Sequence, residues 1–241
     1  MDLATQRKWD AASRTLDFFT FAEDRRLGPH KRRLFEKSRG ETLLVAAGTG
    51  NDFKFFPPDM RIVAIDISPK MIERAAGKAG AYPGTIELRQ MDVCDLEFPD
   101  AAFDTIVTVC TFCSVPRPVV GLRELHRVLK PDGQLLMFKH VRSGIGPLGV
   151  LMDLMTPITA LFGPALNRDT VGNVQKTGFR LFELRTSISM SSKRSKRQSN
   201  ILSQNPIPSF NEAGIVVSNQ PIPPGCRDRH KLDRPLTFQR W

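Results

Sequence analysis

The sequence predicts an α/β fold, a doubly wound and mostly parallel sheet with helices on both faces, and two observations carry that prediction. Short apolar runs, LLVAA (43–47), RIVAID (61–66), FDTIVTVCTF (103–112) and QLLMFKHV (134–141), are separated by segments of helix length. Strands this continuously apolar must be buried on both sides, as in a parallel sheet covered by helices; a strand with one wet face would alternate. Punctuation falls where this scheme needs it, since Lys130-Pro131-Asp132-Gly133 stops a helix with Pro and offers a permissive backbone at Gly.

The elements follow in order. Residues 1–40 carry Trp9, Leu16, Phe18, Phe19, Phe21, Leu27, Leu34 and Phe35 among charges, a spacing that suits short amphipathic helices. The first strand, LLVAA, leads into a loop and a short helix. RIVAID is the second strand and PKMIERAAGKAG the helix after it. TIELRQMD (85–92) reads as a third strand, FDTIVTVCTF as a fourth, VVGLRELHRVL (119–129) as a helix and QLLMFKHV as a fifth strand. The stretch 144–164 is apolar, but Pro147, Asp153 and Pro157 interrupt it, which suits a pocket-covering or membrane-surface helix better than a spanning one. Asn167 or Asp169 can cap a helix over DTVGNVQKTG, and FRLFELRTSI is a sixth strand candidate. From Ser189 onward Ser, Pro and Lys/Arg dominate, so mostly disorder is expected, with GIVV (214–217) as the one short strand candidate.

Composition narrows the class. With 241 residues, 41% hydrophobic and 25% charged, the chain has length and apolar content for a full core, which excludes fibrous and wholly disordered proteins. The charged start MDLATQRKWD does not resemble a secretion signal, and four cysteines (Cys94, Cys110, Cys113, Cys226) are too few for a disulfide scaffold, so a reduced cytoplasmic setting is expected. No His/Cys/carboxylate cluster has metal-ligand spacing, so no metal is expected. The net charge of +10 is uneven: from Ser187 to the end, nine Lys/Arg stand against three Asp/Glu. A phospholipid surface or nucleic acid is suggested mainly by that tail. Nucleic acid is disfavoured, because the KRSKR cluster (193–197) has no interleaved aromatics or recognised binding module around it.

The sharpest feature is Ala46-Ala47-Gly48-Thr49-Gly50-Asn51-Asp52 at the end of the first strand, with Asp66 at the end of the second. Glycines let a ligand approach the backbone, and a carboxylate about 20 residues on can hold ribose hydroxyls. Together they predict a nucleoside-containing cofactor. A dinucleotide loop would carry a third Gly where Phe53 stands, which disfavours NAD.

These motifs, in order, resemble the class I, seven-stranded, S-adenosylmethionine-dependent methyltransferase family, a Rossmann-like fold, over roughly residues 10–186. VAAGTGND resembles its cofactor loop and VAIDISPKMIERA its second strand and helix. MDVCDLEFPDAAFD resembles the adenine segment, and SVPRPVVGLRELHRVLKPDGQLLMFKHV the closing helix, turn and fifth strand. The resemblance implies S-adenosyl-L-methionine as cofactor, held by Ala46, Gly48, Thr49, Gly50, Asp52, Asp66 and its neighbour Ile67, Asp92, Val93 and Cys110. It also implies that Cys110 to Ser114 border the transferred methyl. FKFFPP, CTFCSV, KHVRS and ALNRDT are similar to the small-molecule and lipid branch, which includes phosphatidylethanolamine N-methyltransferases, ubiquinone/menaquinone C-methyltransferases and thiol methyltransferase-like proteins. The domain reading is then a helical lid (1–40), a cofactor-binding domain (41–188) and a basic tail (189–241).

Two departures stand out. The family has an acid at the position of Leu44 and Gly at that of Ala46; Asp52 is a candidate to supply the missing charge. The tail does not read as the family's last helix and antiparallel strand, so the last strand is open to being missing. His140, at the end of the fifth strand, is the candidate to take a proton or hydrogen-bond the acceptor, because its ordinary pKa of about 6.5 suits either role. The expected function is methyl transfer to an aminophospholipid, quinone precursor or thiol. Arg25, Arg26, Lys31, Arg32 and Arg33 suggest peripheral contact with an anionic membrane. The alternative is a degenerate member of the fold that binds or regulates without catalysis. Oligomeric state is not legible.

Overall fold

Asp2 opens the first helix: its side chain accepts a hydrogen bond from the Thr5 amide, and α1 runs Leu3–Ala12. In this computed structural model the described residues are 1–141, 170–187, 211–218 and 238–240. Helix α2 (Leu16–Phe35) follows and continues through Pro29. Gly28 lets it lie close to the Phe55 ring, which a Cβ at that position would meet at 3.4 Å. Then come β1 (Thr42–Val45), a 3-10 turn (Phe53–Phe55), β2 (Arg61–Asp66) and α3 (Pro69–Ala79), whose cap is Ser68, accepting from the Met71 amide, with Pro at the first turn. The series continues with β3 (Thr85–Gln90), β4 (Phe103–Val109), α4 (Pro118–Val128), β5 (Leu129–Val141), α5 (Thr170–Gln175), β6 (Arg180–Ser187), β7 (Asn211–Ser218) and β8 (Phe238–Arg240). Residues 130–133 are a register jump inside the β5 ladder, between Leu129 opposite Phe103 and Gln134 opposite Thr105.

All these strands form one sheet in the order β3-β2-β1-β4-β5-β7-β6-β8. The first five positions are parallel; β7 runs antiparallel to both β5 and β6. The last strand, left open to being missing, is present: Asn211–Ser218 is inserted between β5 and β6. Its place comes from backbone pairing with strands remote in sequence, so only GIVV was visible beforehand. Strand β8 adds a parallel edge beside β6.

The two faces of the sheet take alternate residues. Leu43, Val45, Val63 and Ile65 meet Leu122, Leu125 and Val128 of α4 on one face. Leu44, Ile62, Ala64 and Val107 meet Leu27, Leu34, Phe35 and the FKFF turn on the other. Phe35 makes edge contacts with Phe55 and Phe56, centroids 6.0 and 4.6 Å away. The apolar segment 144–164, Asn167, Asp169, the KRSKR cluster and Cys226 lie outside the described residues, as do the side chains of Phe18, Phe19, Phe21 and Arg26.

Candidate active site

Strand order reverses between β1 and β4, and the carboxyl ends of the strands around such a point leave a crevice for ligands. A cavity of about 170 Å³ occupies it. Its walls are the ends of β1 (Val45, Ala46, Gly48), β2 (Ile65, Asp66, Ile67) and β3 (Met91 to Cys94), together with the segment after β4 from Cys110 to Arg117.

Asp66 is the best supported group in it. It is 6% exposed, its Oδ2 accepts the Gly48 amide and its Oδ1 the Ser68 amide, both at 2.9 Å. Burial pushes its carboxyl above the usual aspartate value despite those amides, and the charge of Asp10 adds to the rise. Gly48 sits at φ +55, where an L side chain is strained, and a Cβ there would meet Leu16 at 3.4 Å. Asp92, 7% exposed, accepts the Cys94 amide at 2.9 Å on Oδ1 and the Asp2 amide at 3.0 Å on Oδ2. Burial, then neighbouring Asp92, pushes the Cys94 thiol up, so it stays protonated at neutral pH.

The structure thus brings together Ala46, Gly48, Asp66, Ile67, Asp92, Val93 and Cys110. Thr49, Gly50 and Asp52 do not line the cavity. The Thr49 hydroxyl donates to Asp17 on α2. Gly50, at φ +81, makes room for Phe53 and Ala75, which a Cβ would meet at 2.6 and 3.2 Å. Asp52 turns to Lys31 at 3.0 Å, outside the cavity lining. Leu44 itself is buried in the core face opposite α4. Lys31 is not a surface cation as its neighbours Arg32 and Arg33 are: it is 3% exposed, held by Asp24 and Asp52. His140 stands near the end of β5 with its backbone opposite Glu212, and its side chain lies outside the described residues. Neither Cys110 nor Cys113 forms a disulfide among the described residues, and the Cys113 thiol donates to the Cys110 carbonyl.

The sequence reading of residues 1–40 as a helical lid included Trp9 but not Asp2 or Thr5. Asp2, Thr5 and Leu16 join Trp9 in closing the cavity from the N-terminal helices, and Arg117 stands at its rim. The capping aspartate at position 2 was the one local signal for this.

Residues 43–137 match the family model described as Methyltransferase domain. A thiol S-methyltransferase, TMT1B of Rattus norvegicus, is 30% identical over 164 residues, 62% of this chain and 67% of that protein. The chain belongs to the class I S-adenosylmethionine-dependent methyltransferase family. A phosphatidylethanolamine N-methyltransferase of Cereibacter sphaeroides is 35% identical over 115 residues, 46% of this chain and 56% of that one, so the chain spans little more than half of this relative. The crystal structure of an S-adenosylmethionine-dependent methyltransferase from Thermotoga maritima shares the fold at a TM-score of 0.62 and 17% identity, covering 88% of this chain and all of that one.

The residues of this methyltransferase-family cavity fit that cofactor. Two acceptor carboxylates at the ends of neighbouring strands suit a ribose diol and an exocyclic amine, and apolar Ile67 and Val93 suit a base between them. Among the described residues Arg117 is the one cation in the lining, against Asp2, Asp66 and Asp92. A sulfonium nucleoside complements such a lining; a dinucleotide pyrophosphate does not.

Proposed function

We propose that the chain transfers methyl groups from S-adenosylmethionine to a small-molecule or lipid acceptor of the thiol, aminophospholipid or quinone-precursor class. The observation that carries this reading is Asp66, buried at the end of β2 with both oxygens aligned by main-chain amides beside an apolar cavity. Bound there, S-adenosylmethionine supplies a methyl group on a sulfonium with a neutral thioether leaving group. The protein's part is to hold and to exclude water. Asp66 accepts from the ribose hydroxyls, Asp92 from the adenine amine, and Ile67 and Val93 pack on the base. Ala46 and Gly48 give the main chain close approach, and the segment from Cys110 to Ser114 walls the side where the acceptor's lone pair attacks the methyl carbon. Fixing two reactants in a dry pocket provides much of the acceleration such a displacement needs. His140 is the group read as taking the acceptor's proton, from its place at the carboxyl end of β5, one strand from Cys110.

The N-terminal helices are read as the cover, and exposed Arg25, Arg32 and Arg33 as a surface that meets anionic lipid. No helix among the described residues is long and apolar enough to cross a membrane. Calorimetry on the full chain should give micromolar binding of S-adenosylmethionine and S-adenosylhomocysteine and none of NAD. Tritiated methyl transfer to a panel of the three acceptor classes then identifies the substrate. Replacing His140 with Ala should slow transfer about 100-fold with unchanged S-adenosylhomocysteine affinity. Absence of adenosyl-ligand binding would sink the reading.

A further inference from the structure

Three acidic residues of the N-terminal helices each touch a different strand end of the cofactor cavity. The Asp2 amide donates to Asp92 after β3 at 3.0 Å. The Asp10 carboxylate accepts the Ser68 hydroxyl after β2. Asp17 accepts the Thr49 hydroxyl and, at 2.9 Å, the Asn51 amide in the β1 loop, and it pairs with Lys78 of α3 at 3.2 Å.

Two of these contacts stand directly behind Asp66. Ser68, held by Asp10, presents the amide that binds Asp66 Oδ1. Gly48, whose amide binds Oδ2, is followed at once by Thr49, held by Asp17. Both donors that orient the ribose carboxylate are therefore backed by a carboxylate from outside the sheet. The same helices bring Thr5, Trp9 and Leu16 into the lining of the cavity, as a cover over part of it.

Resting on the methyltransferase reading, we propose that Asp10 and Asp17 are positioning residues of the cofactor site, fastening α1 and α2 across the ends of β2 and β1 so that closure of the cover and alignment of Asp66 occur together. Weakening either contact favours the open form. Entry and release both quicken, release more, and affinity falls.

The test uses the full chain, S-adenosylhomocysteine as probe and stopped-flow tryptophan fluorescence, since Trp9 lines the cavity. Asp17→Asn should speed release about tenfold and Asp10→Asn about threefold, with association as fast as in the parent or faster. Thr49→Val should reproduce Asp17→Asn, and Asp17→Glu, which keeps the carboxylate, should restore slow release. Parental release rates in both Asn variants would overturn the proposal while leaving the cofactor reading intact. Slower association with unchanged release would overturn it too, because that marks damage to the site rather than a loosened cover. A parent chain that binds no probe at all would remove the cofactor reading and this proposal with it.

Discussion

The ends of β1 and β2 lie side by side and bound the same cavity, yet they are built in opposite ways. At β2 the main chain does the work: two amides close on Asp66, and Ser68 caps the helix that follows. At β1 the work is done by side chains brought from elsewhere. Asp17 of α2 holds Thr49 and Asn51, Lys31 of α2 holds Asp52, and Ala46 sits at φ +57 without glycine's freedom. The contrast teaches that a strand end which has lost its customary acid and glycine can keep its shape when a flanking helix braces it. The β1 loop should accordingly depend on α2 more than the β2 end depends on α1.

Removing the brace should have the largest effect. Replacing Lys31 with Ala takes the cation from Asp52, 18% exposed, and leaves Asp24, 11% exposed, with Lys54 alone. The expected loss is about 3 kcal/mol of stability in urea unfolding, with Lys31→Met recovering part of it by keeping the stem beside Phe55. At the other strand end the cost should fall on binding. Asp66→Ala should weaken S-adenosylhomocysteine by about 1.5–3 kcal/mol in calorimetry, the value of hydrogen bonds to a charged acceptor.

Acid sharpens the comparison, because the two carboxylates are shifted in opposite directions. Burial pushes Asp17 up, but hydrogen bonds from Thr49, Lys78 and Asn51 outweigh it and hold the carboxyl below its ordinary 3.8. Its contribution is present above that value and is lost as pH falls through the folded pKa. Asp66 is raised by burial, so its contribution is greatest below 3.8 and is lost as pH rises through its folded pKa. Between pH 7 and about pH 3 the stability deficit of Asp17→Asn should shrink and that of Asp66→Ala should grow. Parallel denaturation curves at the two pH values check both signs.

The same contrast explains what the sequence made legible. Asp66, Gly48 and Asp92 could be read because strand-end position and loop spacing are local properties. Thr49, Gly50 and Asp52 stand in the same motif, but their side-chain or packing partners, Asp17, Ala75 and Lys31, come from helices that no local pattern places there. The parallel core was likewise visible in its continuous apolar runs. Of strand β7 only GIVV was visible, because Asn211 and Glu212 and the surrounding Ser and Pro residues break the apolar run, and its place comes from pairing with β5 and β6. Asp2 and Asp10 read as ordinary helix acids until the fold sets them against Asp92 and Ser68.

The smallest predicted effect tests whether the β1 end still carries the strain of its lost glycine. A left-handed backbone costs an L-residue about 1–2 kcal/mol, and glycine gives back about 0.5–1 of this in unfolded-state freedom. Ala46→Gly should therefore stabilise the ligand-free protein by about 0.5–1 kcal/mol without weakening S-adenosylhomocysteine. Gly48→Ala makes the opposite change at nearly the same φ and adds a methyl 3.4 Å from Leu16 of the cover, so it should cost stability and loosen closure. If Ala46→Gly destabilises instead, the Ala46 methyl contributes packing to the cavity wall, and the β1 end has been rebuilt around alanine rather than merely braced against it.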